Sequence, residues 1–447
     1  MATMVALLAT LVPMLLYIDR YPTISPVDEF HHIDYAIRIS HGDLLGRGDR
    51  FGDEMMREFA CRRLDASEIT FEVPPCDAPE AELTPEKFPE SGYNSAFIHP
   101  PTYYMVAAVG GIVGEWFGLS FVSGARAANL LWLVAFIGLV MMAARWLNLS
   151  PTVGALAAVV CVVNPGSLHA LATVNPDAAG LACGAAALVG YLGWRRSSNL
   201  WWLLLVVVPV VVKSTHALAS AAALVLVAAE CWFARFDDAE SQVPTVGRRT
   251  ALRSLVSRFR PVLVGGIGFF GAAVGVLIVQ RVQASGPADV IDQLNRFHVD
   301  RFPIGQVLGN VIMVPPLSGY LPRALNTDQI IMAVTLLTLL VMLGMVLGLA
   351  NRRDPEDQLV RNIGVVALAA TVCAGPGLIV LNYGLNAIYV DIPPRYLISL
   401  VPLLVLVAAG AFGRVTVTRW ALIASIPLMW VTLVHAPRPA SAPRAAH

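Results

Sequence analysis

Charge is scarce in this sequence. Lys, Arg, Asp and Glu make up 14% of its 447 residues, against about a quarter in ordinary soluble proteins, which excludes a water-soluble globular fold. Neither sign is in excess, since 31 basic and 31 acidic residues cancel, so nucleic acid is not an expected partner. The six cysteines form no CxxC pair and no Cys/His spacing suited to zinc. The first apolar run, Ala2 to Ile18, has no basic residues before it and no small-residue cleavage site after it. It ends at Asp19-Arg20 and reads as a retained helix rather than a signal peptide. No internal repeat is evident, and no stretch has the composition of a soluble domain.

What the chain has instead is apolar length. Hydrophobic residues make up 56% of it. They gather in runs at 2–18, 124–144, 152–169, 178–193, 200–212, 217–233, 261–282, 328–350, 360–381, 396–413 and 419–435. Most are long enough to cross a hydrocarbon core of roughly 30 Å as helices. The expected fold is an all-α polytopic membrane bundle of about eleven spanning helices, with the lipid bilayer as its solvent. Residues 1–435 form a single transmembrane domain and 436–447, rich in Pro and Ala, a disordered tail.

Basic residues fix the expected orientation, because Lys and Arg concentrate in cytoplasmic loops. Arg145, Arg195-Arg196, the arginines between 235 and 260, Arg352-Arg353 and Arg414 to Arg419 all fall on one side only if 101–118 lies along the interface. This run contains four glycines and Glu115. On that reading the protein is a multi-pass plasma-membrane protein with a cytoplasmic N-terminus and an extracytoplasmic C-terminus. A large outer segment spans 19–123, a cytoplasmic loop 234–260 and a second outer loop 283–327. The pair 200–212 and 217–233 is a bent or partly re-entrant hairpin, since its first run is short and carries Pro209.

Cys161, Cys183, Cys231 and Cys373 lie in or beside apolar runs and read as packing residues. Cys61 and Cys76 share the polar outer segment, where an oxidising exterior favours a disulfide between them.

Ionisable groups are densest just after the first helix, in YPTISPVDEFHHIDYAIRIS, which holds Asp28, Glu29, His31, His32 and Asp34. A solvated loop could carry such groups for solubility alone, but Phe30, Ile33, Ile37 and Ile39 are spaced as the apolar face of a juxtamembrane helix. The same outer segment closes with His99-Pro100-Pro101 and then Tyr103-Tyr104, either an interfacial anchor or part of a substrate surface. Arg126, Asp177 and Lys213 each stand at the outer end of a separate run, where an unpaired charge is costly and a functional role is the default. Plainer readings are a helix start for Asp177 and snorkelling for Lys213. Late in the chain, VDIPPRYLISLVP places Arg395 and Tyr396 at another outer helix mouth, with Asp391 as a local partner for Arg395.

In their order along the chain these motifs resemble the GT-C glycosyltransferases, the polytopic superfamily of protein O-mannosyltransferases and lipid A aminoarabinose transferases. The resemblance rests on Asp28-Glu29 after the first helix, on His99 to Tyr104 closing the first outer loop, and on Arg126 opening the next span. Asp177, then Lys213-Ser214, then the RYLxxxxP segment from Arg395 to Pro402 complete it. It covers most of residues 1–233 and the segment near 393–403. His99 stands where some members have Lys, and the loop at 283–327 is too short for the sugar-binding domain that some relatives carry.

The resemblance implies transfer of a sugar from a polyprenyl phosphate to an extracytoplasmic acceptor by inverting displacement. Asp28, with Glu29 as second choice, would accept the acceptor proton. Arg126, Lys213 and Arg395 would hold the donor phosphate as its charge grows. His31, His32, Asp34, His99, Tyr103, Tyr104, Asp177 and Tyr396 would line the substrate. No cofactor is expected, and a divalent ion on Asp28 and Glu29 is not favoured. A transporter or flippase is the alternative; it predicts charges near mid-helix and symmetric halves, neither of which the sequence has.

Overall fold

The computed structural model describes residues 1–64, 73–239, 248–283, 298–310, 328–350, 355–390 and 392–412. Among them the chain is helical, with only isolated β-bridges between loops. Seven described helices are long and apolar enough to cross a membrane, and one bent pair is so only when its two helices are taken together. Two shorter apolar helices, Leu200–Val212 and Thr335–Leu347, accompany them. The run 419–435, the tail and most of 283–327 lie outside the described residues.

The bent pair lies in the run 152–169, which is not one continuous helix. The helices are α7 (Pro151–Val163) and α8 (Pro165–Ala172), and they meet at 72°. Asn164 separates them, and its Oδ1 accepts from the backbone N–H groups of Gly166 and Ser167. Pro165, which has no N–H to give, begins the next helix. The break tips α8 back across α1 (Ala2–Arg20), which packs on both α7 and α8.

Between them, α2 (Glu29–Ser40), α3 (Asp53–Arg62), α4 (Thr102–Trp116) and α5 (Phe121–Ala127) build one end of the bundle. Cys61 and Cys76 are joined by a disulfide there. With 15 residues α4 is about 22 Å long, too short to cross. It packs on α2 and α5 and leaves Met105, Val109, Trp116 and Phe117 exposed. The span that follows runs through α5 into α6 (Asn129–Trp146).

At the centre is α9 (Gly180–Ser197), which with the turn Pro176–Ala179 before it is buried along its membrane stretch. Two of its glycines permit a close approach. A Cβ at Gly184 would collide with the carbonyl oxygen of Ser399, and one at Gly180 with the side chain of Ile398. The turn Pro394–Leu400, which leads into α16 (Val401–Phe412), therefore lies directly against the start of α9.

Next in sequence, α10 (Leu204–Val212) stops at Lys213, whose extended backbone breaks the path before the turn Ser214–His216 and α11 (Ala217–Ala239). The expected loop at 234–260 is largely helical, since α11 continues to Ala239 and α12 (Arg248–Gln283) begins well before Pro261. The rest of the described bundle comprises α13 (Ile304–Gly309), α14 (Asp328–Ala350) and α15 (Pro355–Asn386).

Candidate active site

Asp28 occupies the residue before α2 in the left-handed region, φ 60° and ψ 8°, a conformation that Asp adopts more readily than most residues. An Asp in that position ordinarily caps its helix. Here it does not, because Oδ2 accepts instead from Arg395 Nη2 at 2.8 Å, across 367 residues of sequence. Its side chain remains 49% exposed.

Glu29, one residue on, turns into the protein and is wholly buried. Oε1 accepts from Arg126 Nε (2.9 Å) and the Val174 N–H (2.8 Å). Oε2 accepts from Arg126 Nη2 (2.8 Å) and the Ser25 N–H (2.7 Å). Arg126 spends its other donors on the carbonyls of Tyr21 and Thr23. This pairing bears on two expectations. Four of the five Arg126 donors are engaged on Glu29, Tyr21 and Thr23, and both oxygens of Glu29 are buried and accept from the protein. Together they tie the segment before Asp28 to the segment before Asp177.

Asp177 comes from the turn that Asn175 caps, its N–H donating to Asn175 Oδ1. Lys213 Nζ donates to Asp177 Oδ1 at 2.6 Å, and both groups are buried. His216 Nε2 lies 3.7 Å from the same oxygen, and Arg395 Nε 3.8 Å from Oδ2. The ring of Tyr396 faces both cations, with Lys213 Nζ 5.1 Å and the Arg395 guanidinium carbon 5.7 Å from its centroid. Asp391, the expected local partner of Arg395, lies outside the described residues. Asp177 Oδ2, both His216 nitrogens, Arg395 Nε and Ser399 Oγ are buried without a hydrogen bond among the described residues, and such groups ordinarily find a polar partner.

His32 and His99 border this cluster. Their rings lie 5.5 Å apart, and His32 Nδ1 is 2.8 Å from the Tyr104 hydroxyl. Burial holds His32 well below the usual His range, with His99 and Lys213 adding to the effect. Burial and then the charge of Lys213 pull His99 down to about 3. Both rings are therefore neutral hydrogen-bonding groups at physiological pH. Tyr104 also packs on Tyr35, ring centroids 4.1 Å apart.

Three further expected substrate contacts are engaged elsewhere. Asp34 accepts from Arg38, Asn94 and the Gly52 N–H, which fastens α2 to the loop beyond it. Tyr103 donates to Asn129 Oδ1 and accepts from the Asn175 N–H. His31 packs between Phe30 and Phe51 and reaches Glu90 at 3.4 Å. These side chains are engaged by protein partners.

Sequence reading missed His216, His169 and Ser25. His169 joins the Tyr17 hydroxyl (2.8 Å, through Nδ1) to the Ser25 hydroxyl (2.8 Å, through Nε2), and so ties α8 to α1 and to the loop before Asp28. A histidine in an apolar run was the available signal. Its partners lie 152 and 144 residues away and leave no local pattern.

These features define a helical membrane protein with a mixed-charge cluster where the ends of several helices meet. No protein-family model and no curated protein matches the sequence. Among solved structures, the chain is similar to ArnT from Cupriavidus metallidurans in the apo state, with a TM-score of 0.48 and 15% identity. The likeness covers 94% of this chain and 60% of that one. It is also similar to the same protein bound to undecaprenyl phosphate, with a TM-score of 0.47 and 16% identity over 94% of this chain and 61% of that one. This chain thus spans about three fifths of the length of the ArnT chain.

Proposed function

We propose that this protein is a membrane glycosyltransferase that moves a sugar from a polyprenyl phosphate to an extracytoplasmic acceptor by inverting displacement. The observation that carries the reading is the convergence of a half-exposed carboxylate, Asp28, with the cations Lys213 and Arg395 over buried Asp177. Inverting displacement at an anomeric carbon needs both functions in one site, on opposite faces of that carbon. One group accepts the proton of the attacking hydroxyl, and fixed positive charge stabilises the departing phosphate.

In this reading Asp28 is the base, Lys213 and Arg395 hold the phosphate, and Tyr396 orients both cations. The neutral rings of His32 and His99, with the Tyr104 hydroxyl, present hydrogen bonds to the sugar or the acceptor. The prenyl chain lies along the apolar helices, with the site on the extracytoplasmic side and the N-terminus in the cytoplasm. The family-like order of Asp28-Glu29, His99 to Tyr104, Lys213 and Arg395 supports the same assignment.

The test is donor consumption. Purified protein and its Asp28→Asn variant are incubated with a panel of radiolabelled polyprenyl-phosphate sugars and an envelope lipid extract, and loss of label from the carrier is scored. Wild-type protein consumes one donor and the variant is slower by about 10²- to 10⁴-fold. No consumption by wild type, with acceptors supplied, sinks the proposal in favour of a transporter of a lipid-linked substrate.

A further inference from the structure

Among the described residues, charge at the centre of the site is balanced. Lys213 and Arg395 are positive, Asp28 and Asp177 negative, and the four are already matched, Lys213 to Asp177 at 2.6 Å and Arg395 to Asp28 at 2.8 Å. Arg126 is closed on Glu29. A phosphate entering this arrangement competes with the carboxylates for these cations.

The two pairs are not equivalent in that exchange. Lys213 and Asp177 are both buried, and parting them leaves a carboxylate in a poorly solvated place, the costly way to break a buried pair. Asp28 is half exposed, so water can solvate its charge when Arg395 leaves. Arg395 also has an Nε without a hydrogen bond among the described residues, lies 3.8 Å from Asp177, and carries the planar donor fork that suits phosphate. It is the cation able to turn.

The geometry points to an ion-pair exchange in which Arg395 occupies Asp28 until the donor phosphate draws it off, so that seating the donor frees the whole carboxylate of the base. This rests on the glycosyl-transfer reading above. While Arg395 donates to Asp28 Oδ2, one of the two carboxylate oxygens is shared with the guanidinium. The exchange returns both oxygens to the acceptor hydroxyl, and Arg395 acts on both reactants in turn.

Binding of undecaprenyl phosphate, which carries no sugar and cannot turn over, tests the exchange apart from catalysis. Affinities are measured on the full chain in detergent for wild type, Asp28→Asn, Asp28→Ala, Arg395→Gln and the Asp28→Asn/Arg395→Gln pair. Asn tolerates the left-handed backbone at 28, so the first variant keeps its fold. Removing the competitor should tighten binding by about tenfold, the scale of one charged hydrogen bond. The gain should vanish when Arg395 is already Gln. Unchanged or weaker binding by both Asp28 variants overturns the exchange while leaving the donor class intact, as does a gain that survives Arg395→Gln. If wild type binds no polyprenyl phosphate, the donor class fails and the exchange with it.

Discussion

Arg126 and Glu29 meet edge to edge in the interior, Nε to Oε1 at 2.9 Å and Nη2 to Oε2 at 2.8 Å, with 97 residues between them in sequence. Arg126→Leu leaves the Glu29 charge uncompensated and should destabilise the protein by about 3–5 kcal/mol. Arg126→Lys cannot reproduce the planar fork and should recover only part of that loss. Removing both charges in Glu29→Leu/Arg126→Leu should cost less than the two single changes combined. Thermal unfolding in detergent measures all four; additive losses would show that the pair does not act as a unit.

The position of Arg395 depends on the glycines behind it. Gly184→Ala places a methyl against the Ser399 carbonyl and should push the 394–400 turn away from α9, at about 1–3 kcal/mol for overpacking. Because Arg395 rides on that turn, affinity for polyprenyl phosphate should fall in a variant whose other contacts are untouched. A variant that loses stability yet keeps its affinity would show that the turn relaxes without carrying Arg395 with it.

His99 makes stability depend on pH in a definite direction. Above the ordinary His value of about 6.5 folded and unfolded chains both carry it neutral, and its contribution is fully present. As pH falls towards about 3, the unfolded chain takes up a proton that the folded one refuses, so stability falls. His32, also held low by burial, acts in the same sense. Melting temperature should drop between pH 7 and pH 4.5, and His99→Gln should flatten that slope; an unchanged slope would mean that His99 titrates normally in the folded protein.

The Cys61–Cys76 bond closes a loop with a sequence separation of 15, which corresponds to about 3 kcal/mol of local order in the chain-entropy account. Reduction, or Cys61→Ser with Cys76→Ser, should expose 61–76 to proteases while leaving the membrane helices intact. Equal cleavage of the oxidised and reduced forms would argue that α3 and its packing hold the loop unaided.

The crossings were legible because lipid demands length, and length survives in a single sequence. The bend at Asn164-Pro165 was not read: a capping residue before a proline is a helix start, but the apolar run around it concealed the break. Asp28 and Glu29 were harder. They are adjacent and chemically alike, and only the backbone turn at 28 sends one towards solvent and the other to Arg126. Nothing in a linear pattern distinguishes an arginine awaiting a phosphate from one already paired with a distant glutamate. Lys213 and Asp177 stood out singly because charge at a helix end is conspicuous in an apolar chain. That they meet each other and Arg395 follows from how α9, the Lys213 break and the 394–400 turn pack, and the small residues that permit it carry no chemical label.

The burial of α9 also bears on how the protein is made. Among the described spans the one through Pro176–Ser197 is the least apolar and is enclosed by protein, whereas Val256–Val279 in α12 is the most apolar and is almost entirely uncovered. Each helix is as greasy as its surroundings require. During synthesis, however, a segment meets lipid before it meets its neighbours, and insertion responds to its own apolarity. We therefore expect α9 to partition poorly alone and to enter in company with α6 and α10, which pack on it in the finished bundle. Glycosylation-tagged truncations ending after Ser197 should be inserted less completely than longer ones that include α10, and equal insertion of the two would refute assisted entry.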